Sequence, residues 1–326
     1  MTKGTDVQFG IVLTGAAMAD RSPAQQFDDA ITLTHAARQN GCSYLVVGQH
    51  FIGHPYQYLQ PIPLLSRLSV DSGEMRLATG ILLLSLLHPV DVAEQLATLD
   101  TICGGRLVVG VGIGYRQEEF EAFDVERSSR AERMLECLSV VRRLWAGETV
   151  DHDGRFFTLH GVRTGIAPAQ PGGPPVWLAG MRHRTVSRAT ELGYLPFIGP
   201  RASLEQVHRW VAEHRDATGN PAATLPLRRD IFVAERAERA GDQAAQYLGP
   251  RLSAYREWGM SGRLKDADID DVLARDQVVV GDAGQCLNTL GRFSRAGASP
   301  IVLRVQWPGL PVSESKAMIA SLAEAG

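Results

Sequence analysis

The stretch Gly48-Gln49-His50-Phe51-Ile52-Gly53-His54-Pro55-Tyr56-Gln57-Tyr58-Leu59-Gln60 gathers two His, two Tyr and three Gln beside Gly and Pro. Imidazoles titrate near neutral pH and move protons, while amides orient ligands through hydrogen bonds. His50, Gln49 and His54 are therefore the candidate catalytic residues. The plainer reading is a loop whose Tyr and His rings cover one end of a domain. His50 and His54 are four apart, which invites a test for metal. Gly53 and Pro55 oppose the helix that an HExxH pair requires, Phe51 stands where its Glu would be, and no carboxylate cluster is near. No metal is expected.

Two glycine-bearing turns carry a second kind of chemistry. One is Gly112-Ile113-Gly114-Tyr115-Arg116; the other is Ala179-Gly180-Met181, followed by Arg182, His183, Arg184 and Thr185 at a helix start. Both suit a phosphate, because glycines let backbone N–H groups approach an anion at the positive end of a helix. The GVGIGY stretch spaces its glycines as GxGxG, not GxGxxG, and does not follow the first strand, so a dinucleotide fold is disfavoured. Between the polar loop and these turns, Thr79 to Pro89 keeps apolar residues beyond a strand's natural end, as core or as the support of a flat apolar ligand. No GxSxG elbow or Walker A motif is present.

The elements that must position these groups alternate. Strand patterns fall at Val7–Leu13, Tyr44–Gly48, Met75–Leu83, Leu107–Val111, Val176–Leu178, Leu195–Ile198, Arg229–Ala234 and Pro300–Val305. Helical patterns fall at Ala24–Asn40, Val90–Cys103, Ser129–Trp145, Thr185–Leu192, Leu204–Thr218 and Glu314–Glu324. Eight short apolar strands separated by helices imply a parallel sheet closed into an α/β, (β/α)8 TIM barrel, with insertions after strand four (about 147–175) and strand seven (about 235–277). The whole chain, 1–326, reads as one domain. In such a barrel the residues just after each strand form the site, and both the polar loop and the glycine turns stand there.

Composition narrows the class. Lys+Arg of 33 against Asp+Glu of 36 gives −3, too balanced for an electrostatic nucleic-acid or membrane-surface binder. Cys42, Cys103, Cys137 and Cys286 lie far apart, which suits a reducing cytoplasm rather than a disulfide scaffold. The apolar run Ile81–Leu87 is far shorter than the ~20 residues of a membrane span, and no signal core opens the chain.

HPVDVAEQLATLDTICGGRLVVGVGIGYRQEEFEAF (His88 to Phe123), RLWAGETVDHDGRFF (Arg143 to Phe157) and LRVQWPG (Leu303 to Gly309) resemble the bacterial luciferase-like flavin monooxygenases. That group also contains deazaflavin-dependent oxidoreductases, and the resemblance runs from about Val7 to Leu310. It implies a non-prolyl cis peptide at Gly80-Ile81 beneath the cofactor ring. It implies a cofactor phosphate near Gly112, Gly114, Tyr115, Gly180, Met181 and Thr185. Two positions depart from the family. Gln49-His50-Phe51 stands where relatives often carry Glu-His-His or Asp-His; Gln49 cannot ionise, so a base role passes to His50, His54 or His88. Ile113 replaces a basic phosphate contact, leaving Arg116, Arg182, Arg184 or backbone amides.

The Gly193-Tyr194-Leu195-Pro196 stretch is closer to the luciferase-type form than to the GDGW of deazaflavin members, which favours FMN. The activity so implied is oxygenation of a small apolar or aromatic substrate by reduced FMN and O2, with the flavin delivered by a separate flavin reductase. Phe9, Phe51, Tyr56, Tyr58 and Trp307 would line the substrate pocket, and the second insertion would act as a lid. Relatives are often homodimers. The alternatives are a deazaflavin coenzyme used for hydride transfer and a non-catalytic flavin-binding or accessory subunit.

Overall fold

A computed structural model describes residues 8–13, 17–18, 21–180, 182–257 and 278–326. The barrel strands are β1 (Phe9–Leu13), β2 (Tyr44–Val47), β3 (Arg76–Leu83), β4 (Leu107–Gly112), β5 (Val176–Gly180), β6 (Leu195–Ile198), β7 (Leu225–Val233) and β8 (Ala298–Arg304). Each pairs in parallel with the next, β8 returns to β1, and the Ile198–Leu227 pairing joins β6 to β7, so the barrel is closed. Around it run α1 (Pro23–Gln39), α2 (Pro61–Leu68), α3 (Pro89–Ile102), α4 (Gln117–Ala122), α5 (Arg130–Trp145), α6 (His183–Glu191), α7 (Leu204–Thr218), α8 (Ala237–Glu257), α9 (Ala283–Arg295) and α10 (Val312–Ala325). None of the described helices is long and apolar enough to cross a membrane.

Local chemistry accounts for the helix starts. Ser22, Ser203 and Asp282 form reciprocal capping boxes with Gln25, Gln206 and Gln285, and Pro23, Pro61 and Pro89 occupy first-turn positions where a missing N–H costs nothing. The strands alternate two apolar layers. Ile11, Leu45, Leu77, Val109 and Leu303 face the helices; Val12, Tyr44, Val46, Ala78, Val108, Trp177, Phe197 and Val302 fill the interior. The interior is therefore a packed plug under the open, C-terminal end.

All eight expected barrel strands are present, but β7 starts four residues before the expected Arg229. Its charged centre disguises it. Arg229 points outward and is wholly buried, with its guanidinium 4.0 Å from the Phe293 ring centre and donating to the Gly199 and Ala202 carbonyls. A further strand, Val278–Gly281, pairs beside the C-terminal half of β7 and leads into α9. Within the first long insertion, Val150–Asp153 and Thr158–Val162 form an antiparallel ribbon, clamped by Glu136, which accepts from His152 and from the Phe156 and Phe157 amides. Of the second insertion, residues 258–277 lie outside the described residues, as does Met181.

Candidate functional site

The polar loop follows β2 at the open end of the barrel and is locked by two buried charged residues. Glu119, on α4 and fully buried, accepts from the Phe51 amide at 2.9 Å and stands 3.0 Å from His50 Nδ1. Arg116, also buried, donates to the carbonyls of Phe51 (2.8 Å) and Ile52 (3.1 Å) and lies 3.7 Å from Glu119. These bonds hold Ile52 at φ 50°, a left-handed conformation that a β-branched residue rarely adopts. His50 lies between the rings of Tyr58 and Tyr115, with centroids 5.0 and 5.7 Å away. Because Glu119 Oε1 already accepts the Phe51 amide, it acts as an acceptor toward the imidazole too, and Nδ1 is the donor.

Beside this loop β3 departs from regular pairing. The Gly80-Ile81 peptide is cis, and the register with β4 shifts between Thr79 and Leu82. Close approach explains the glycines here. A Cβ on Gly80 would fall 2.2 Å from Val46 Cγ1, and one on Gly112 would fall 2.0 Å from Ile81 Cδ1. Gly112 thus makes room for the Ile81 side chain, a packing reason distinct from a phosphate contact. Gln49, buried, grips the bulge from β2: its backbone N–H donates to Ile81 O (3.2 Å) and its Oε1 accepts from Leu83 N (2.9 Å). Leu83, Leu86 and Phe120, backed by Phe51 and Ile81, make an apolar shelf next to it.

Across the β4 and β5 ends, Gly114 has φ 67°, and a Cβ on Gly180 would lie 3.1 Å from Thr185. Arginines that sequence reading passed over gather here. Burial first, then the neighbouring Arg127 and Arg182, pull the Arg130 guanidinium below its ordinary value. Arg127 Nε and Arg130 Nε are buried without a hydrogen-bond partner among the described residues. Arg116, by contrast, is committed to the Phe51–Ile52 loop; Arg182 and Arg184 are both exposed, and of the two it is Arg182 whose charge acts on Arg130. The recurrence of Arg at 127, 130 and 133, one helical turn apart, was the available signal.

The wall opposite, on β7 and β8, is charged. Asp230 lies 3.2 Å from Arg228 and 3.5 Å from Arg304, its cross-strand neighbour. Burial opposes ionisation of Asp230, but Arg304, Arg228 and Arg201 outweigh it and hold the carboxyl below the usual carboxylate range. Trp307 packs beside this wall, its indole N–H donating to Ile231 O at 3.0 Å and the Arg304 guanidinium 5.2 Å from its ring centre.

The structure brings Gln49, His50, Phe51, Tyr58, Gly80, Ile81, Gly112 and Tyr115 together. It sets others apart. Phe9 was expected at the mouth; it begins β1, hence sits at the far end, and belongs to the helix-facing layer because alternation puts Val12, three residues on, inside. His54 is exposed on the turn that precedes the cis His54-Pro55 bond. Tyr56 is buried in a two-residue ribbon with Met18. His88 caps α3 through a 3.4 Å contact from Val90 N and packs edge-on to Phe157. Glu119 was missed because a Glu in a Gln-Glu-Glu run looks solvent-facing. No group of His, Cys, Asp and Glu among the described residues could hold a metal ion.

The luciferase-like monooxygenase family model matches residues 7–299. The oxygenase component of a flavin-dependent trigonelline monooxygenase from Acinetobacter baylyi is 26% identical over 316 residues, covering 89% of this chain and 87% of that one. An F420-dependent hydroxymycolic acid dehydrogenase from Mycobacterium tuberculosis is 24% identical, covering 84% and 78%. The crystal structure of monooxygenase RslO1 from Streptomyces bottropensis superposes with a TM-score of 0.87 at 24% identity, covering 98% of each chain.

Proposed function

The chain belongs to the luciferase-like monooxygenase family, and from that premise we propose that it is the oxygenase component of a two-component system, using reduced FMN and O2 to oxygenate a small apolar or aromatic substrate. One observation carries the reading. The bulge at Gly80-Ile81 is gripped by Gln49, next in sequence to a histidine held by a buried carboxylate, and beyond the β4 and β5 ends Arg127 and Arg130 keep buried Nε atoms that have no hydrogen-bond partner among the described residues. When bound, reduced FMN supplies the electrons that activate O2. The remaining roles fall to this chain's own side chains.

Arg127, Arg130 and Arg182, with the Gly114 and Gly180 turns, would hold the phosphate by charge-assisted hydrogen bonds. Ile81 and the Leu83–Leu86–Phe120 shelf would support the ring and keep water away. His50 keeps a proton on Nδ1 toward Glu119, so any proton it exchanges with a ligand passes through Nε2. Gln49 has no ionisable group and acts by hydrogen bonding alone. Tyr58 and Phe51 would form the apolar sides, and a flavin reductase would deliver the cofactor, a division of labour in keeping with the Acinetobacter baylyi relative being named an oxygenase component.

The test is binding followed by oxygen uptake. FMN and deazaflavin F420 are titrated separately into the protein by fluorescence, and reduced FMN is then supplied in an oxygen electrode with a panel of aromatic and aliphatic substrates. FMN binding with substrate-stimulated uptake is expected. Binding of F420 alone would move the chain to deazaflavin-dependent hydride transfer, F420 being the cofactor named for the mycobacterial relative. Binding without turnover across the panel would leave a flavin-binding accessory subunit.

A further inference from the structure

Three hydrogen bonds through two side-chain amides join the bulge of β3 to the backbone of His50, and a fourth, from the Gln49 backbone, anchors the near end. Gln49 grips the bulge twice, through its own N–H to Ile81 O at 3.2 Å and through Oε1 from Leu83 N at 2.9 Å. Its Nε2 then donates to Gln60 Oε1 at 3.1 Å, and Gln60 Nε2 donates to His50 O at 3.0 Å. We propose that Gln49 and Gln60 are positioning residues: a two-amide relay that fixes the cofactor platform and His50 relative to one another, so that neither shifts alone. The proposal rests on the reading that a flavin lies on that platform.

The polarity of the chain makes it all-or-none. The Leu83 N–H can only donate, so Gln49 must turn its oxygen to it and its NH2 toward Gln60. Gln60 must then present its oxygen to Gln49, and its NH2 meets the His50 carbonyl, which can only accept. Flipping either amide opposes two donors at one junction and two acceptors at another. Gln49 is 8% exposed, so a broken junction there leaves a polar group without water to replace its partner. Gln60 sits at the start of α2, 11 positions from Gln49, and among the described residues none of its hydrogen bonds reaches β3 directly. Its influence on the platform runs through Gln49.

The experiment compares wild type with Gln60→Glu, Gln60→Met, Gln49→Met and the double Gln49→Met/Gln60→Met variant. The readouts are FMN affinity by fluorescence quenching, the visible circular dichroism of bound FMN, hydrogen exchange of the Leu83 amide without ligand, and thermal unfolding. Gln60→Glu places a second acceptor against the His50 carbonyl. It is expected to weaken FMN binding about tenfold, the scale of one lost buried hydrogen bond, to alter the dichroism, and to speed exchange at Leu83, a residue it does not touch. The double variant is expected to lose no more than the worse single, because the relay fails as a unit. Gln60→Met carries the same test should Gln60→Glu fail to fold. FMN affinity, dichroism and Leu83 exchange all unchanged in a folded Gln60 variant would overturn the relay. A wild type that binds neither FMN nor F420 would instead overturn the functional reading, while Leu83 exchange would still decide whether the relay exists.

Discussion

A polar clasp closes each end of the barrel, and the two are built differently. At the floor, Asp100 is fully buried and accepts from the Gln170 backbone and side-chain amides, both at 2.8 Å, and from Leu107 N at 3.4 Å. Gln170 returns a bond to Leu107 O at 2.8 Å, so both Asp100 oxygens and the Gln170 side-chain NH2 are used within the clasp. At the mouth, Gln49 and Gln60 join the loop to β3, and Glu119 and Arg116 join it to α4 and the turn before it, around a platform and an imidazole. A closed clasp at the N-terminal face yields only stability, whereas the same chemistry at the C-terminal face positions groups for a ligand.

If the floor served binding as well as stability, the two ends would respond alike to mutation. Asp100→Ala strands buried donors and is expected to cost about 3 kcal/mol of folding stability, measured by denaturant unfolding, while FMN affinity per folded molecule stays at the wild-type value. A parallel loss of affinity would erase the distinction between the two ends. The mouth gives the converse. His50→Ala is expected to lower substrate-dependent oxygen uptake about a hundredfold, in the range for a lost proton-transfer group, with little change in unfolding midpoint. Full turnover in that variant removes His50 from the chemistry.

The arginines sharpen the contrast within the mouth. Arg130→Gln is expected to weaken FMN binding about tenfold through a lost charge-assisted contact, while Arg184→Gln, at an exposed position, leaves it unchanged in the same titration. The smallest effect concerns the charged wall. The Asp230 carboxyl is held below the usual range by Arg304, Arg228 and Arg201 against the opposing effect of burial. Its ionised form therefore contributes stability that is complete above pH about 4 and is lost as pH falls through the lower folded-state value. Acid unfolding of Asp230→Asn should accordingly show a shallower loss below pH about 4 than wild type; an identical acid limb would show that Asp230 contributes nothing there.

Much of the frame is legible in the residues. Apolar β runs such as Tyr44–Val47 and Leu107–Gly112 have no polar interruption, so period and length reveal them. Where a strand carries charge, as at Arg228-Arg229-Asp230, the pattern hides the first half, because only the fold shows that Arg229 is sheltered by Phe293. The Asp282–Gln285 capping box before α9 was a usable signal that went unused. Within the site, Gln49, His50, Gly80 and Ile81 stand out by type and place. Glu119, Arg127 and Arg130 do not, since an acidic or basic residue in a charged run looks solvated until its surroundings are known.

Strand number, helix alternation and the balance of charge follow from the order of side chains, because period and propensity act over a few residues. Which polar groups face the mouth is decided otherwise. His50 and Glu119 are 69 positions apart, and Asp100 and Gln170 are 70 apart, yet one pair ends beside the platform and the other beneath the barrel. Barrel closure sets that difference. A strand's two ends have equal local chemistry, and only their direction in the closed sheet assigns one to the ligand and the other to the floor.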